Sequence, residues 1–483
     1  MNTSLNTIVI GSDLSSLTAA LISAYHGKST ALIVERDSPA SVSEKGYVFD
    51  TRNMSFDGIH PDGMLIRLLK MLGLSLPENT RIPPPLQVVF PDHRITHYDD
   101  PELLTKEIER EFGVSPKIIK NLYMKVLEEI ENVLSPEPTG ETLIGTKKPF
   151  QPLLLNLRKI IWRRIIFPFN FHELKKYPSL TDTFRGFASV LTNFDGDKLD
   201  PLSLSYALFI LSKGIFLNSE GNRLLIERLR VKFESLGGHI VKDCDIQKVS
   251  IGKPVSVEVK IGEEVFIIDG ESIIASAKWE KLSTFLLDDK RLSSLLRKYR
   301  KRESSFLYPF TFFLGVRERG LPEMMSETVI FMADESQHFL KENLLIITRS
   351  PRGDTSYAPE ESCSLSVTMF LEDPPRQLND SVLRHLIQNS LETLGDFLPF
   401  LSENIDFIDD EKSITFSRAY QDVVNRKIHV KKGPSPEICI LSNRRKLKNI
   451  AITGGELLPV FGIEGEVISG IEAAKWIIEK MER

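Results

Sequence analysis

The run Thr7-Ile8-Val9-Ile10, ended by Gly11, constrains the fold more than any other stretch of this chain. Apolar and β-branched residues stopped by a glycine read as a buried strand entering a tight turn. Leu14, Leu17, Thr18, Leu21 and Tyr25 then recur at i, i+3, i+4, i+7 and i+11, which is one face of a helix, and His26-Gly27 supplies its stop. A second strand, Thr30-Ala31-Leu32-Ile33-Val34, ends in Glu35. Parallel strands need a crossover between them, so a βαβ unit is the expected product.

Where such a unit binds a dinucleotide, its turn reads Gly-x-Gly-x-x-Gly and an acidic residue about 20 positions on holds the ribose. Glu35 stands at that distance, 19 residues after Ser16. The turn itself departs, because the three glycine positions hold Gly11, Asp13 and Ser16. Ser16 is small enough to keep the helix close to the strand. A carboxylate at 13 is different: about 4 Å from a phosphate charge it costs roughly 4 kcal/mol at an effective dielectric near 20, a thousandfold in affinity by the usual conversion of about 1.4 kcal/mol per tenfold. Two roles for Asp13 stay open. It caps the helix that begins at Leu14, standing in for the missing anion, or it turns aside while the hydroxyls of Ser12, Ser15 and Ser16 hold a pyrophosphate.

At 483 residues the chain exceeds what one core usually fills, so at least two domains are expected. Its formal charge of −5 offers no basic footprint for nucleic acid. Cys244, Cys363 and Cys439 lie far apart, without metal-binding spacing, so no metal site or disulfide framework is expected and a reducing cytoplasmic setting fits best. No basic n-region opens the chain, and no uncharged run reaches the ~18–20 residues that span a bilayer.

Near the other end, Ile450-Ala451-Ile452-Thr453 reads as a strand, Gly454-Gly455-Glu456 as a turn, and Gly462-Ile463-Glu464-Gly465 as the start of a helix running to Met481. This arrangement resembles the last flavin-binding motif of the phytoene desaturase and carotenoid isomerase group within the FAD-dependent amine oxidase superfamily. Further matches follow in the family's order. They are Gly46-Tyr47-Val48-Phe49-Asp50-Thr51, the helix over 223–236 with Gly237-Gly238 after it, Asp245-Ile246-Gln247, the strand over 271–277, and Ile414-Thr415-Phe416-Ser417-Arg418 as a late strand of the substrate domain. The family's Gly-Gly-Arg has no counterpart in Ser38-Pro39-Ala40-Ser41-Val42-Ser43, and Arg52 stands where the family often has glycine.

The resemblance implies an α/β fold, with a discontinuous Rossmann-like FAD/NAD(P)-binding domain and an α+β substrate domain built on a mixed sheet. The FAD-binding parts would be 1–75, 206–284 and 441–483, and the substrate parts 76–205 and 285–440. It implies FAD held by Gly11, Ser12, Leu14, Ser15, Ser16, Glu35, Ile246, Gly455, Glu456, Gly462, Ile463 and Gly465, with Ile246 meeting adenine and Glu456 the ribitol. Strands are expected at 306–316, 328–332, 344–348 and 364–371, then a helix at 381–398.

No catalytic triad or carboxylate pair stands out, and a flavin enzyme needs none, since the cofactor accepts the hydride. Two functions follow: a FAD-dependent desaturase or isomerase acting on a hydrophobic isoprenoid or lipid, or a non-catalytic lipid- or prenyl-binding protein that has lost FAD. Segment 142–172 carries six bases, no acids and several apolar triplets, so peripheral contact with the cytoplasmic face of a membrane is a further expectation.

Overall fold

The computed structural model describes residues 5–35, 41–51, 63–74, 86–98, 100–115, 117–119, 121, 176–192, 195, 221–277, 281–282, 306–334, 343–424, 428–430, 449–455 and 462–481. Strand β1 (Leu5–Ile10) runs through Gly11 into helix α1 (Leu14–Tyr25), and β2 (Thr30–Val34) returns beside β1 in parallel. The last four residues of β1 and all of β2 are buried, as expected of a parallel sheet covered on both faces.

Distant segments complete this sheet. After a hairpin of β3 (Ser41–Glu44) and β4 (Tyr47–Asp50) comes α2 (Met64–Met71), and later β7 (His239–Lys242) joins β2 in parallel. Strand β10 (Glu264–Ser276) has two roles along its length. Its first half pairs antiparallel with β9 (Val255–Ile261), itself paired to β8 (Asp245–Ser250). Its second half lies parallel between β1 and β17 (Ile450–Thr453). Strands from three separate stretches of chain thus align their C-terminal ends on one edge, where ligands of open α/β sheets bind.

Two further helices cover this sheet with α1: α5 (Gly221–Ser235) and the closing helix α8 (Gly462–Met481). The opposite face buries Ile8, Ile10, Ile33, Ile273 and Ile450 against Val255, Val257 and Val259 of the β8–β10 meander. Helices α1 and α8 cross closely. A Cβ on Gly470 would lie 2.4 Å from the Ser15 carbonyl oxygen, so this contact admits only glycine without movement.

A second sheet is ordered β15-β11-β14-β13-β12-β5-β6, with β16 (Ile428–His429) also pairing β11. Its strands are β5 (Leu86–Val89), β6 (Arg94–His97), β11 (Phe306–Arg317), β12 (Thr328–Met332), β13 (Leu344–Arg349), β14 (Ser362–Leu371) and β15 (Ile405–Ile408). Only β12 and β5 pair in parallel, so the sheet is mixed as expected. One face packs Phe310, Phe312, Leu365 and Val367 against Leu383, Ile387 and Leu394 of α6 (Asp380–Phe397). The other turns Val88, Ile95, Ile330 and Ile346 into the cluster that contains α1 and α8. On that side α3 (Pro101–Phe112) and α4 (Pro178–Thr192) pack beside β6.

One expected strand is a helix. Ile414, Phe416 and Ser417 lie in α7 (Asp410–Val424), where Ser413 and Ser417 accept hydrogen bonds from the backbone N–H groups of Phe313 and Thr311 at the edge of β11. The alternation of Ile414, Phe416 and Arg418 mimicked strand period, but Asp410 and Glu411 in the first turn favour a helix start. Segment 142–172 and Cys439 lie outside the described residues. No helix among the described residues is long and apolar enough to cross a membrane.

Candidate functional site

The strand-end edge gathers most of the residues expected to hold FAD. Gly11 adopts φ +143°, and a Cβ there would meet the Ser16 hydroxyl oxygen at 2.4 Å and Ser276 Cβ at 2.6 Å. Only glycine relieves both constraints. Ser12 is half-buried beside it, and Leu14, Ser15 and Ser16 are buried in the first turn of α1.

Asp13 is the N-cap of α1 and is 5% exposed. Its Oδ1 accepts the Ser16 backbone N–H at 2.8 Å and the Ser15 hydroxyl at 2.7 Å. Its Oδ2 accepts the hydroxyl of Ser276 at the end of β10. The carboxylate is therefore not turned aside. It sits in the helix mouth, where orphan N–H groups and the dipole attract an anion, and it engages the Ser15 hydroxyl that a pyrophosphate would have needed.

At the tip of β2 the same pattern recurs with the other charge. Glu35 Oε1 accepts the Ile246 backbone N–H at 2.8 Å and the Lys281 ammonium at 2.7 Å. Lys281 also donates to the Ile246 carbonyl at 2.8 Å and to the Asp245 carboxylate. Burial alone would lower the Lys281 pKa, but its bonds to Asp245 and Glu35 outweigh this and hold it above its usual value. Both backbone groups of Ile246 expected to meet adenine, and the carboxylate expected to hold ribose, are thus joined to protein.

The third part of the edge is the β17–α8 connection. Gly454 takes φ +149° beside Ala277, and Gly455 packs so closely on Glu466 that a Cβ would lie 2.7 Å from its Cγ. Gly462 opens α8 at φ +55°, with Ile463 and Gly465 buried behind it. Glu456, expected at the ribitol, lies outside the described residues. Glu464 and Glu466 are buried in the first turns of α8. Glu464 Oε2 accepts the backbone N–H of Met64, capping α2 from the far end of the chain, while Oε1 has no partner. Burial, only partly offset by the Met64 and Leu65 N–H groups and by Arg67, pushes its pKa up to about 7.

These residues do not fit a resident dinucleotide bound in the usual way. The mouth of α1, which would face phosphate, already holds the Asp13 carboxylate, and the Glu464 carboxylate near the start of α8 is engaged with the N–H of Met64 at α2. The adenosine end is cross-linked by Lys281. Sequence reasoning foresaw the capping role of Asp13 as one alternative. It missed Lys281 and Ser276, which become neighbours of Glu35 and Asp13 only through the sheet, and it missed Glu466, which is buried against Gly455. Among the described residues no cluster could hold a metal. Burial raises the thiols of Cys244 and Cys363 to about 11, which removes them as nucleophiles at neutral pH.

No protein-family model matches the sequence, and no curated protein matches it significantly. Solved structures do match along nearly the whole chain. A protein from Pyrococcus furiosus is 16% identical, with 98% of each chain covered and a TM-score of 0.60. An oxidoreductase from Methanosarcina mazei is 15% identical, covering 99% of this chain and 100% of that one, also at 0.60. A putrescine oxidase double mutant, from a redesign of cofactor binding, is 14% identical with 99% of each chain covered, again at 0.60. At such identities the likeness is one of fold, and the mixed α/β architecture with its parallel sheet is that of the FAD-binding amine oxidase type.

Proposed function

We propose that this chain is a binding protein for a hydrophobic small molecule, built on a flavoenzyme scaffold and holding no resident FAD. The buried Asp13 carboxylate in the mouth of α1 carries this reading. A phosphate brought within about 4 Å of it meets a repulsion of roughly 4 kcal/mol at an effective dielectric near 20. Lys281 supports the same reading from the adenosine end.

The competing reading is a FAD-dependent oxidoreductase of the desaturase or isomerase type with an isoprenoid or lipid substrate. It is favoured by the glycine turn at Gly454-Gly455 and by similarity in fold to an oxidoreductase and to putrescine oxidase. It requires Asp13 and Lys281 to leave their partners before a nucleotide can enter. Peripheral membrane contact through 142–172, from a cytoplasmic location, suits either reading, because a lipid-like ligand is drawn from a bilayer.

The deciding experiment is an absorption spectrum of the purified protein followed by FAD titration. The wild-type chain is expected to show no flavin bands and no saturable uptake. Asp13→Gly combined with Lys281→Ala is expected to gain FAD affinity by two to three orders of magnitude, the scale set by the charge removed. Stoichiometric flavin in the wild-type protein would overturn the proposal in favour of the oxidoreductase.

A further inference from the structure

The first half of β10 has a neighbour on one side only. Pairing with β9 runs from Glu264 to Gly270, while β1, on the opposite side of β10 from β9, begins at Leu5 beside Gly270. Among the described residues, Glu264 to Asp269 therefore have no strand along their other edge. At about 3.4 Å per residue this leaves an open edge of roughly 20 Å.

An open edge offers a row of unpaired N–H and C=O groups, and proteins usually guard it with charge, proline or a covering element. The outermost strands of this sheet follow that habit, with His239 and Lys242 exposed on β7 and Asp245, Gln247 and Lys248 exposed on β8. Strand β10 instead exposes three consecutive bulky apolar residues, Val265 by 55%, Phe266 by 44% and Ile267 by 67%. Val265 and Ile267 stand opposite Lys260 and Glu258 on the solvent face, whereas Phe266 and Ile268 stand opposite the buried Val259 and Val257. Charge is confined to the ends. Glu263 and Glu264 precede the apolar run and Asp269 follows it, and residues 262–276 contain four acids and no base. Lys260 of β9 offsets part of this charge through Glu263, at 3.5 Å.

We propose that this edge is a docking site for an extended polypeptide segment whose centre is β-branched or aromatic and whose ends carry Lys or Arg. Its backbone bonds the open edge as an added strand, and its alternate side chains pack on Val265 and Ile267. Its terminal bases lie beside Glu263, Glu264 and Asp269, so charge selects the partner as well as shape. A second copy of this chain fits less well. Antiparallel pairing centred on Phe266 sets Glu263 against Asp269 at both ends, and directly opposed like charges are destabilising. The edge lies at the N-terminal end of β10, away from the strand-end site, so the inference goes beyond the function proposed above.

The probe is a fluorescein-labelled synthetic peptide, Lys-Arg-Val-Tyr-Val-Thr-Arg-Lys, titrated with the purified full-length chain and read by anisotropy. Saturable binding is expected. It should be at least tenfold weaker when Glu replaces each Lys and Arg, and equally so when alternate central amides are N-methylated, which removes strand-forming N–H groups. Ile267→Lys should weaken binding at least tenfold at unchanged melting temperature, because that side chain is largely exposed. Glu264→Lys with Asp269→Lys should reverse the preference toward the Glu-flanked peptide. No saturable binding, equal affinity for the two flank charges, or full affinity of the N-methylated peptide would overturn the proposal, as would wild-type affinity in Ile267→Lys. A concentration-dependent dimer of the chain alone in sedimentation, abolished by Ile267→Lys, would assign the edge to a second copy and overturn it too.

Discussion

Three buried ionisable residues govern what can be measured on single side chains. Asp13 combines a helix cap with hydrogen bonds from Ser15 and Ser276. Asp13→Ala should therefore cost about 1–3 kcal/mol in urea unfolding, a cap together with the orphaned hydroxyls it leaves. Glu464 and His97 act through pH in opposite senses. The folded-state pKa of Glu464 is raised to about 7 from 4.5, so the stability present below pH 4.5 is lost as pH rises through 7. That amounts to about 3 kcal/mol at 1.36 kcal/mol per unit. For His97, burial lowers the pKa to about 4 from 6.5, so the stability present above pH 6.5 is lost as pH falls through 4, again by about 3 kcal/mol. Between pH 4.5 and 6.5 the two slopes oppose each other. Glu464→Gln should unmask a stability that rises with pH, and His97→Phe one that falls, both read from urea midpoints across that window. A pH profile unchanged in either variant would contradict the corresponding assignment.

Among the elements, the α1–α8 crossing and the turn beneath it leave the least room. Gly470→Ala places a methyl 2.4 Å from the Ser15 carbonyl oxygen and 2.8 Å from Thr18 Cβ, and the helices must part to admit it. The expected loss is about 1–3 kcal/mol, the range for overpacking, measured as a fall in melting temperature. Gly11→Ala combines a clash with Ser16 and Ser276 with a φ of +143°, so it should cost more than Gly470→Ala in the same assay. Gly27 offers a control, because its φ is +70° but no atom lies within 4 Å of an added Cβ. Gly27→Ala should show the backbone penalty alone, on the order of 1 kcal/mol. Elements with strong period were readable from the chain alone, as with α1, β2 and α8. The misread stretch at Ile414 to Arg418 is short, and its alternation is satisfied by a helix whose serines serve the edge of β11.

At the scale of the molecule, two sheets share one buried cluster with α1, α2, α4 and α8. The sequence by itself determined the βαβ opening, the returning strand and glycine turn near the C-terminus, and a mixed second sheet, because apolar periodicity and glycine at turns are local signals. It also exposed Asp13 as the main departure from the dinucleotide-binding fingerprint. Tertiary structure alone decided which partners these carboxylates have. Ser276 reaches Asp13 across 263 positions, Lys281 reaches Glu35 across 246, and Glu464 caps α2 across 400. The alignment of His97, Leu86, Thr328, Thr348 and Ser366 across the mixed sheet likewise exists only once β6, β5, β12, β13 and β14 are in register. A charge or hydroxyl acquires its partner, or lacks one, through pairing between strands that no local pattern encodes.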